Sequence, residues 1–320
     1  MDTKILDLFR KHRNEYLSGE EISRKLKVSR AAVWKHIEKL REIGYDIEAM
    51  PHLGYKLKSV PDKMIPDEIK YGLNTRIFGK KIYSFELTDS TNKIAYDLAE
   101  KGADEGAVVL AEQQKKGKGR LGRIWISPPG GIYMSCIIRP DIRPNEIQEF
   151  TLVTALSVAD SIMSLTGLEA RIKWPNDILI NRKKVCGILT EMKAESDRID
   201  FIILGIGINA NTNEKILPQR ATSLKAELKG RISRVELVRS ILFNLEKEYG
   251  IFKEKGFKGV RDEIKNLSAT LGKRVKVTSY NKIYEGEAMD IDEEGALILR
   301  LDTGLMQRIL SGDVTLVRGA

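Results

Sequence analysis

The stretch with the clearest chemical signature is a basic, glycine-rich segment at residues 115–125, called here the basic loop, which reads Lys-Lys-Gly-Lys-Gly-Arg-Leu-Gly-Arg-Ile-Trp. It holds five basic residues, three glycines and no acid. Glycine lets a backbone approach a ligand closely, and several cations in one loop can act on one anion. The spacing predicts a phosphate site, although a solvated loop has a similar composition. The P-loop pattern is missing, and the segment does not open a helix.

The segments around the basic loop predict a sheet that would position it. Apolar or alternating runs typical of strands occur at 82–87, 108–111, 131–138, 178–191 and 201–209. A long helix with one apolar face is predicted over 146–166. Glycines within 201–209 indicate places where another group must come close to the strand. We expect an α+β domain in which a mixed sheet carries helices on one side.

Polar residues follow two of these strands. Ser90, Thr91 and Asn92 come after the first strand and are an ordinary helix start. Hydroxyl groups between a strand and a helix N-terminus also suit a polar ligand, so both interpretations stay open. Residues 173–177 read Lys-Trp-Pro-Asn-Asp and end a later strand in a turn.

Composition narrows the class of protein. The chain has 320 residues, 42% hydrophobic and 31% charged, which is typical of a globular protein with two or three domains. No apolar run is long enough to span a membrane, and the first residues lack the apolar core of a signal peptide. Two cysteines, Cys136 and Cys186, are expected to be buried free thiols in a cytoplasmic protein without a metal site. The net charge of +9 favours anionic partners.

The N-terminal sixty residues predict a winged helix-turn-helix. Helices are expected at 3–17, from Ser18 to about residue 27, and from Ser29 to about residue 43, followed by a hairpin around Pro51. The third helix would enter the major groove of DNA by its N-terminal end. A protein–protein module of the same shape is the alternative. The candidate DNA-binding residues are Ser29, Arg30, Ala31, Trp34 and Lys35, of which Trp34 is equally compatible with a place in the core.

Four motifs in this order resemble the biotin protein ligases. They are the basic loop, Lys-Trp-Pro-Asn-Asp at 173–177, Lys184 before Val-Cys-Gly-Ile-Leu, and Gly-Ile-Gly-Ile-Asn at 205–209. Together with the winged helix they resemble the bifunctional kind, which also represses biotin synthesis. One departure concerns Lys118, which stands where the family usually has arginine. Lysine keeps the charge but loses the bidentate fork.

The resemblance implies three domains and a two-step reaction. The expected domains are a winged helix-turn-helix at 1–62, a catalytic domain of the biotin/lipoate ligase type at 63–268 and an SH3-like β-barrel at 269–320. Biotin and ATP, with Mg²⁺, would give biotinoyl-AMP, and a lysine of a biotin carboxyl carrier protein would then take the biotinoyl group. The adenylate-bound protein would dimerise and bind operator DNA as a repressor. The basic loop would become ordered around the adenylate.

The resemblance also implies roles for individual residues. Lys184 would bridge the biotin carboxylate and the α-phosphate, Arg120 would contact phosphate, and Asp177 would orient or deprotonate the incoming lysine. Biotin binding is expected from Ser90, Thr91, Asn92, Gln114, Gly117, Lys118, Arg120, Lys184, Gly187 and Gly205. Nucleotide or adenylate binding is expected from Lys118, Arg120, Arg123, Trp125, Asn176, Lys184 and Asn209.

Plainer interpretations accompany several of these roles. Lys184 has the sequence context of an exposed hairpin lysine, Trp125 that of a core residue, and Asp177 that of a turn residue. Two further classes of protein are a ligand-sensing transcription factor without turnover and a lipoate-attaching relative. The retained Lys184 and Arg120 argue against the first, and the basic loop together with a winged helix argues against the second.

Overall fold

The computed structural model describes residues 1–195, 198–279 and 282–317, and the chain divides into two compact units, Met1–Lys63 and Met64–Ala320. The first unit contains helices and a two-stranded hairpin in winged-helix order. These elements are α1 (Asp2–Lys11), α2 (Gly19–Leu26), α3 (Arg30–Ile43), β1 (Asp46–Met50) and β2 (Gly54–Ser59). Ser18 and Ser29 cap α2 and α3 by accepting hydrogen bonds from the backbone nitrogens of Glu21 and Ala32. Both predicted caps are therefore confirmed.

The first helix is shorter than predicted. It ends at Lys11 rather than at residue 17, and Asn14 adopts a left-handed conformation with φ of 70°. Beyond this turn Leu17 exchanges two backbone hydrogen bonds of 2.9 Å with Tyr55 of the hairpin. The expectation failed because Tyr16 has the right spacing for the apolar face of α1, whereas the backbone here pairs with a strand distant in sequence.

The second unit is built on a seven-stranded mixed sheet. Its strands are β3 (Ile82–Thr88), β4 (Val108–Gln114), β5 (Ile132–Ile138), β6 (Arg171–Lys173), β7 (Asp177–Ile180), β8 (Lys183–Glu195) and β9 (Arg198–Ile208). They lie in the order β3-β4-β5-β9-β8-β7-β6, in which β3 and β4 are parallel and the other adjacent pairs are antiparallel. The predicted mixed sheet is confirmed.

Helices cover both faces of this sheet, so the expectation of helices on one side was wrong. The helices of this unit are α4 (Pro66–Lys70), α5 (Thr91–Glu100), α6 (Ile147–Thr166), α7 (Leu224–Leu228), α8 (Arg234–Lys255) and α9 (Lys258–Asn266). Helix α6 packs on β6 to β9, and α8 and α9 pack against α6. Helix α5 lies on the opposite face, where Ala95 and Ala99 meet Val109, Ile137 and Ile203. Strand alternation gives the sheet two apolar faces at this end, and each is covered.

A five-stranded antiparallel sheet follows the last helix. Its strands are β10 (Arg274–Ser279), β11 (Lys282–Ile291), β12 (Leu297–Leu301), β13 (Met306–Ile309) and β14 (Asp313–Leu316), and they lie in the order β13-β12-β11-β10-β14. Val275 and Leu297 share one core with the central sheet, and Trp174 Nε1 donates a 3.0 Å hydrogen bond to the Gly295 carbonyl. The predicted α+β fold with an all-β C-terminal part is confirmed. Within the described ranges no helix is long and apolar enough to cross a membrane.

Candidate functional site

A cleft of about 1750 Å³ in the second unit brings the basic loop together with the central and C-terminal sheets. Most residues predicted to bind nucleotide line it. They are Arg120, Arg123, Trp125, Asn176, Lys184 and Asn209. Asp177, predicted for catalysis, and Gly187, predicted for biotin binding, line it as well. Strand β14 contributes Asp313 and Thr315 from the other side. Four segments that are far apart in sequence therefore meet around one space.

A β-bulge directs Lys184 into this cleft. Strand β8 gains one residue, Val185, opposite the step from Ile178 to Leu179 on β7. Regular alternation from Gly187, which lines the cleft, would turn Lys184 into the core. With the bulge Val185 is the residue buried in the core, and Lys184 faces the cleft. Bulges re-aim side chains in this way, so the exposed-hairpin interpretation of Lys184 is wrong.

Lys184 is fixed at its backbone and at its ammonium group. Its N–H donates to the Arg220 carbonyl and its carbonyl accepts from the Thr222 N–H, both at 2.9 Å. Its Nζ lies 2.5 Å from Asp177 Oδ1, while Asp177 Oδ2 lies 3.3 Å from Lys173 Nζ. One carboxylate thus sits between two ammonium groups. The three side chains carry a net positive charge that faces the cleft.

Arg120 adds a second cationic group. Its Nη1 donates to Asn176 Oδ1 at 3.5 Å, and Asn176 Nδ2 donates in turn to the Ile188 carbonyl at 2.9 Å. Burial lowers the pKa of the Arg120 guanidinium from its ordinary value, nearby Asp177 opposes this change, and Arg123 adds to it. A half-buried cation that faces a neutral amide is stabilised by an incoming anion. The oxygen of Asn176 is oriented toward the same place.

The basic loop has a defined backbone. Lys116 N–H donates to the Asp89 carbonyl at 2.8 Å, and its Nζ pairs with Asp89 Oδ2 at 3.0 Å. The tip is a tight turn in which Gly119 N–H donates to the Arg123 carbonyl at 2.7 Å. Leu121 in this turn has φ of 56°, a left-handed conformation that is uncommon for leucine. The turn presents Arg120 to the cleft.

Trp125 lies against a floor that has no side chains. Gly187 and Gly207 face each other on β8 and β9. A Cβ atom on Gly207 would lie 2.5 Å from Trp125 Nε1, and one on Gly187 would lie 3.1 Å from the same ring. Lys184 Nζ is 5.3 Å from the ring centroid, within the range of a cation–π contact. Trp125 Nε1 is buried and has no hydrogen-bond partner among residues 1–195, 198–279 and 282–317.

Gly207 is a residue that the sequence interpretation did not assign to the site. Gly187 and Gly205 were singled out there, yet it is Gly207 that makes the closest approach to Trp125. The signal was present, because Gly205 and Gly207 have strand spacing and so point to the same face. The sequence alone did not predict that Trp125 would pack against Gly207.

Three of the residues predicted to bind biotin, Thr91, Asn92 and Gln114, belong to a polar cluster beside α5. Gln114 Oε1 accepts from the backbone N–H and the hydroxyl of Thr91, at 2.8 and 3.1 Å. Ser135 Oγ donates to Asn92 Oδ1 at 2.6 Å, and Asn92 Nδ2 donates to Glu191 Oε2 at 2.6 Å. Ser135 and Glu191 were not predicted. They fix the amide of Asn92 and leave this end of the sheet polar.

Close packing sets the shape of this cluster. A Cβ atom on Gly205 would collide with the amide of Asn92, and one on Gly117 would lie 2.5 Å from Ser127 Oγ. Both glycines are therefore needed to bring neighbouring polar groups together. Ser90 is buried at the start of α5, and its side chain makes no hydrogen bond to the first turn of that helix.

Two residues predicted to bind nucleotide differ from the others of that set, Lys118 because it lies outside the cleft and Asn209 because its buried side chain bonds to the protein. Lys118 is exposed and, within the part of the chain that the structure describes, does not line the cleft. Asn209 is 2% exposed, and its Nδ2 donates to the Thr222 carbonyl at 3.0 Å. Asn209 therefore braces the segment that also bonds Lys184. The ligand contacts expected of both residues stay predictions.

The first unit presents the five candidate DNA-binding residues on one surface. Ser29, Arg30, Ala31, Trp34 and Lys35 are all exposed at the start of α3, while Val33 and Ile37 are buried. Trp34 is 54% exposed, so its place is on the surface and not in the core.

Comparison with known proteins agrees with this arrangement. The profile of the Biotin/lipoate A/B protein ligase family matches residues 84–209, an HTH domain matches 2–56 and the Biotin protein ligase C terminal domain matches 270–317. The bifunctional ligase/repressor BirA of Bacillus subtilis (strain 168) is 40% identical over 317 residues, which cover 98% of this chain and 97% of that protein.

Two further relatives match the ligase portion. The biotin--[acetyl-CoA-carboxylase] ligase of Paracoccus denitrificans is 32% identical over 228 residues, covering 68% of this chain and 93% of the relative. The biotin protein ligase from Aquifex aeolicus, solved in complex with biotin and ATP, superposes with a TM-score of 0.65 at 32% identity. The superposition covers 75% of this chain and 100% of the Aquifex aeolicus chain. The chain therefore belongs to the bifunctional ligase/repressor family of biotin protein ligases.

Proposed function

We propose that this protein joins biotin to ATP and passes the biotinoyl group to a carrier protein, most simply a biotin carboxyl carrier protein of acetyl-CoA carboxylase or another biotin-dependent carboxylase. A carboxylate oxygen of biotin forms a bond to the α-phosphorus of ATP, and pyrophosphate leaves. The ε-amine of a carrier lysine then bonds to the acyl carbon, loses a proton, and AMP leaves. The observation that carries this proposal is the cationic cleft built around Lys184.

The first step must bring two anions together. Two unit negative charges 4 Å apart repel by about 4 kcal/mol at an effective dielectric constant of 20. Lys184, with Lys173 behind the shared Asp177, supplies positive charge where they would meet, and Arg120 supplies more at the turn of the basic loop. Preorganised charges of this kind stabilise a transition state without reorganisation of solvent.

The second step needs a dry, covered acyl-phosphate. Trp125 lies over Gly187 and Gly207, where its indole would cover a bound acyl-phosphate and limit the access of water. Biotin would bind toward the polar cluster of Thr91, Gln114 and Asn92, whose amide and hydroxyl groups suit a ureido ring. Asp177 holds Lys184 in place. To accept a proton from the carrier lysine it would have to release one of its two lysine partners.

The residues of this site fit Mg²⁺ only if the ion binds together with the phosphates of the nucleotide. Among the described residues around the cleft, Asn176 Oδ1 is an available neutral oxygen, whereas both oxygens of Asp177 already face lysines. Mg²⁺ usually keeps several waters and binds through substrate phosphates rather than an all-protein cage. Asn176 would hold such an ion beside the phosphates, and the ion would supply positive charge there.

Transfer of labelled biotin to a carrier domain tests the function. We expect transfer by the wild-type protein, and a loss of about 100- to 1000-fold in pyrophosphate release for Lys184→Ala, because Lys173 and Arg120 offset only part of the repulsion of about 4 kcal/mol that remains. Lys193→Ala is the matched control, since it removes a partly exposed lysine of the same strand that pairs with Glu100 at 3.2 Å. No transfer of biotin by the wild type, or transfer of lipoate instead, would reject the proposal.

We further infer that the first unit binds operator DNA and that the adenylate promotes dimerisation and repression of biotin synthesis genes. Support comes from the exposed face of α3, with Arg30 and Lys35 at the end that would enter the major groove. The division of the chain after Lys63 supports a separate DNA-binding domain at 1–62. The catalytic domain at 63–268 and the SH3-like β-barrel at 269–320 stay predictions.

Two measurements test the regulatory part. Arg30→Ala combined with Lys35→Ala should weaken operator binding, reduce its salt dependence by about two phosphate contacts, and spare ligation. Lys4→Ala combined with Lys11→Ala, which removes two exposed lysines of α1, is the control for net charge. Sedimentation with and without biotin plus ATP reports on dimerisation, and an unchanged mass would rule out the adenylate-dependent dimer.

A further inference from the structure

An ion pair joins the basic loop to the C-terminal sheet. Arg123 Nη2 contacts Asp313 Oδ2, at the start of β14. The Arg123 side chain is 66% exposed and the Asp313 side chain 24% exposed. The carboxylate is thus the less exposed partner. The contact lies at the edge of the cleft, which both residues line.

The position of Arg123 determines that of Arg120. Arg123 N–H donates to the Arg120 carbonyl at 3.2 Å, and the Arg123 carbonyl accepts from Gly119 N–H at 2.7 Å. These two bonds close the turn. A contact that fixes Arg123 therefore also restricts Arg120, which faces the cleft. The only side-chain hydrogen bond of Arg120 to other parts of the described chain is the 3.5 Å contact with Asn176, which is long.

Apolar packing does little to hold this turn. Leu121 is 75% exposed and Ile124 is 83% exposed, so neither side chain buries much surface. Asp313, in contrast, lies on a strand that is held by its neighbours. Its strand pairs with β10, where Asp313 faces Thr278, and the following Val314 is buried at 4% exposure. A rigid carboxylate therefore meets a loop that has few other restraints at its tip.

We propose that Asp313 is a positioning residue, a latch on the C-terminal sheet that keeps the tip of the basic loop closed over the adenylate. This inference rests on the proposed function, because it concerns the same cleft. It assigns to the C-terminal sheet a role in retaining the intermediate through the loop. An exposed ion pair suits a latch that must also open, because such a pair shifts the ratio of closed to open loops by about two- to fivefold, or about 0.4–1 kcal/mol.

Two measurements on the full-length protein test the latch. The first is amide hydrogen exchange of the peptide that covers residues 117–125 in the protein without ligands. The second is the loss of labelled adenylate from the protein after biotin and ATP are removed, with no carrier present. Asp313→Asn should raise both rates by about two- to fivefold, and Asp313→Glu, which keeps the charge, should restore most of the difference.

Glu285→Gln is the matched control, since it removes a carboxylate of the same sheet that pairs with Lys276 at 3.1 Å. It should leave both rates at the wild-type value. Exchanging the charges, Asp313→Arg with Arg123→Asp, should slow the exchange of the loop relative to Asp313→Arg alone. Wild-type exchange of residues 117–125 in Asp313→Asn would overturn the latch. If that exchange is faster but no adenylate forms in the wild type, the latch stands and the proposed function fails.

Discussion

Replacing Gly207 by alanine tests whether the glycine floor exists to receive Trp125. Gly207 lies in the extended strand β9, so its backbone accepts alanine and only the added methyl group is tested. That methyl would lie 2.5 Å from Trp125 Nε1 and 2.7 Å from Cε2. Normal separations of such atoms are about 3.5 Å, so the indole must move by about 1 Å.

The size of the effect follows from this displacement. Forcing a methyl group into a packed site costs about 1–3 kcal/mol. If this cost destabilises the conformation in which Trp125 covers the cleft, kcat/KM for adenylate formation falls by about 5- to 150-fold. Lys184 Nζ lies 5.3 Å from the centroid of the Trp125 ring. If the indole moves about 1 Å away from it, this distance reaches about the 6 Å limit of a cation–π contact.

Two alanine variants calibrate the measurement. Gly187→Ala places its methyl 3.1 Å from the Trp125 ring and from the flexible end of Lys184, so a few tenths of an ångström of movement suffice. We expect a loss of less than about fivefold there. Gly250→Ala in α8 meets open space and should stabilise the helix by about 0.5–1 kcal/mol without changing activity.

The assay is pyrophosphate release at varied biotin and ATP concentrations, with thermal unfolding measured in parallel. The expected order of loss is Gly207→Ala, then Gly187→Ala, then Gly250→Ala. Wild-type kcat/KM for Gly207→Ala in a folded protein would show that Trp125 does not cover the reacting groups. An equal loss in Gly187→Ala and Gly207→Ala would show that distance to the indole is not the cause.

Two further predictions concern stability. Burial, with Glu146, Glu294 and Asp292 adding to it, raises the pKa of Glu149 to about 8, so the folded protein keeps a proton that the unfolded chain loses near pH 4.5. The free energy of unfolding should therefore fall between those pH values, by at most about 5 kcal/mol at 1.36 kcal/mol per pH unit, and Glu149→Gln should abolish this part of the dependence in urea titrations at pH 5 and 8.5. Glu246 accepts hydrogen bonds from three successive backbone nitrogens at residues 76–78, which outweigh burial and lower its pKa, so its stabilisation is lost as pH falls through that lowered pKa. Glu246→Gln should cost about 1.5–3 kcal/mol at pH 7, and an unchanged urea midpoint would contradict this.

Local patterns in the sequence predicted many of the elements. The capping serines Ser18 and Ser29, the long helix α6 and the alternating strands have signals within a few residues of one another, and short-range sterics and hydrogen bonds fix them. The first helix shows the limit of this reasoning. Its apolar spacing continues to Tyr16, but Leu17 pairs with Tyr55, and no local pattern contains that partner.

The motifs determined which chemistry to expect, because cations, glycines and a Lys-Trp-Pro-Asn-Asp turn in this order are themselves the signature of the family. The tertiary structure decided where each group points. One extra residue in β8 turns Lys184 from the core to the cleft. The indole of Trp125 packs against Gly207, and Asp313 contacts Arg123, which lies 190 residues away in the chain. A strand's side chains alternate, so a single bulge reverses every direction beyond it. Contacts between distant segments exist only once the sheet has formed.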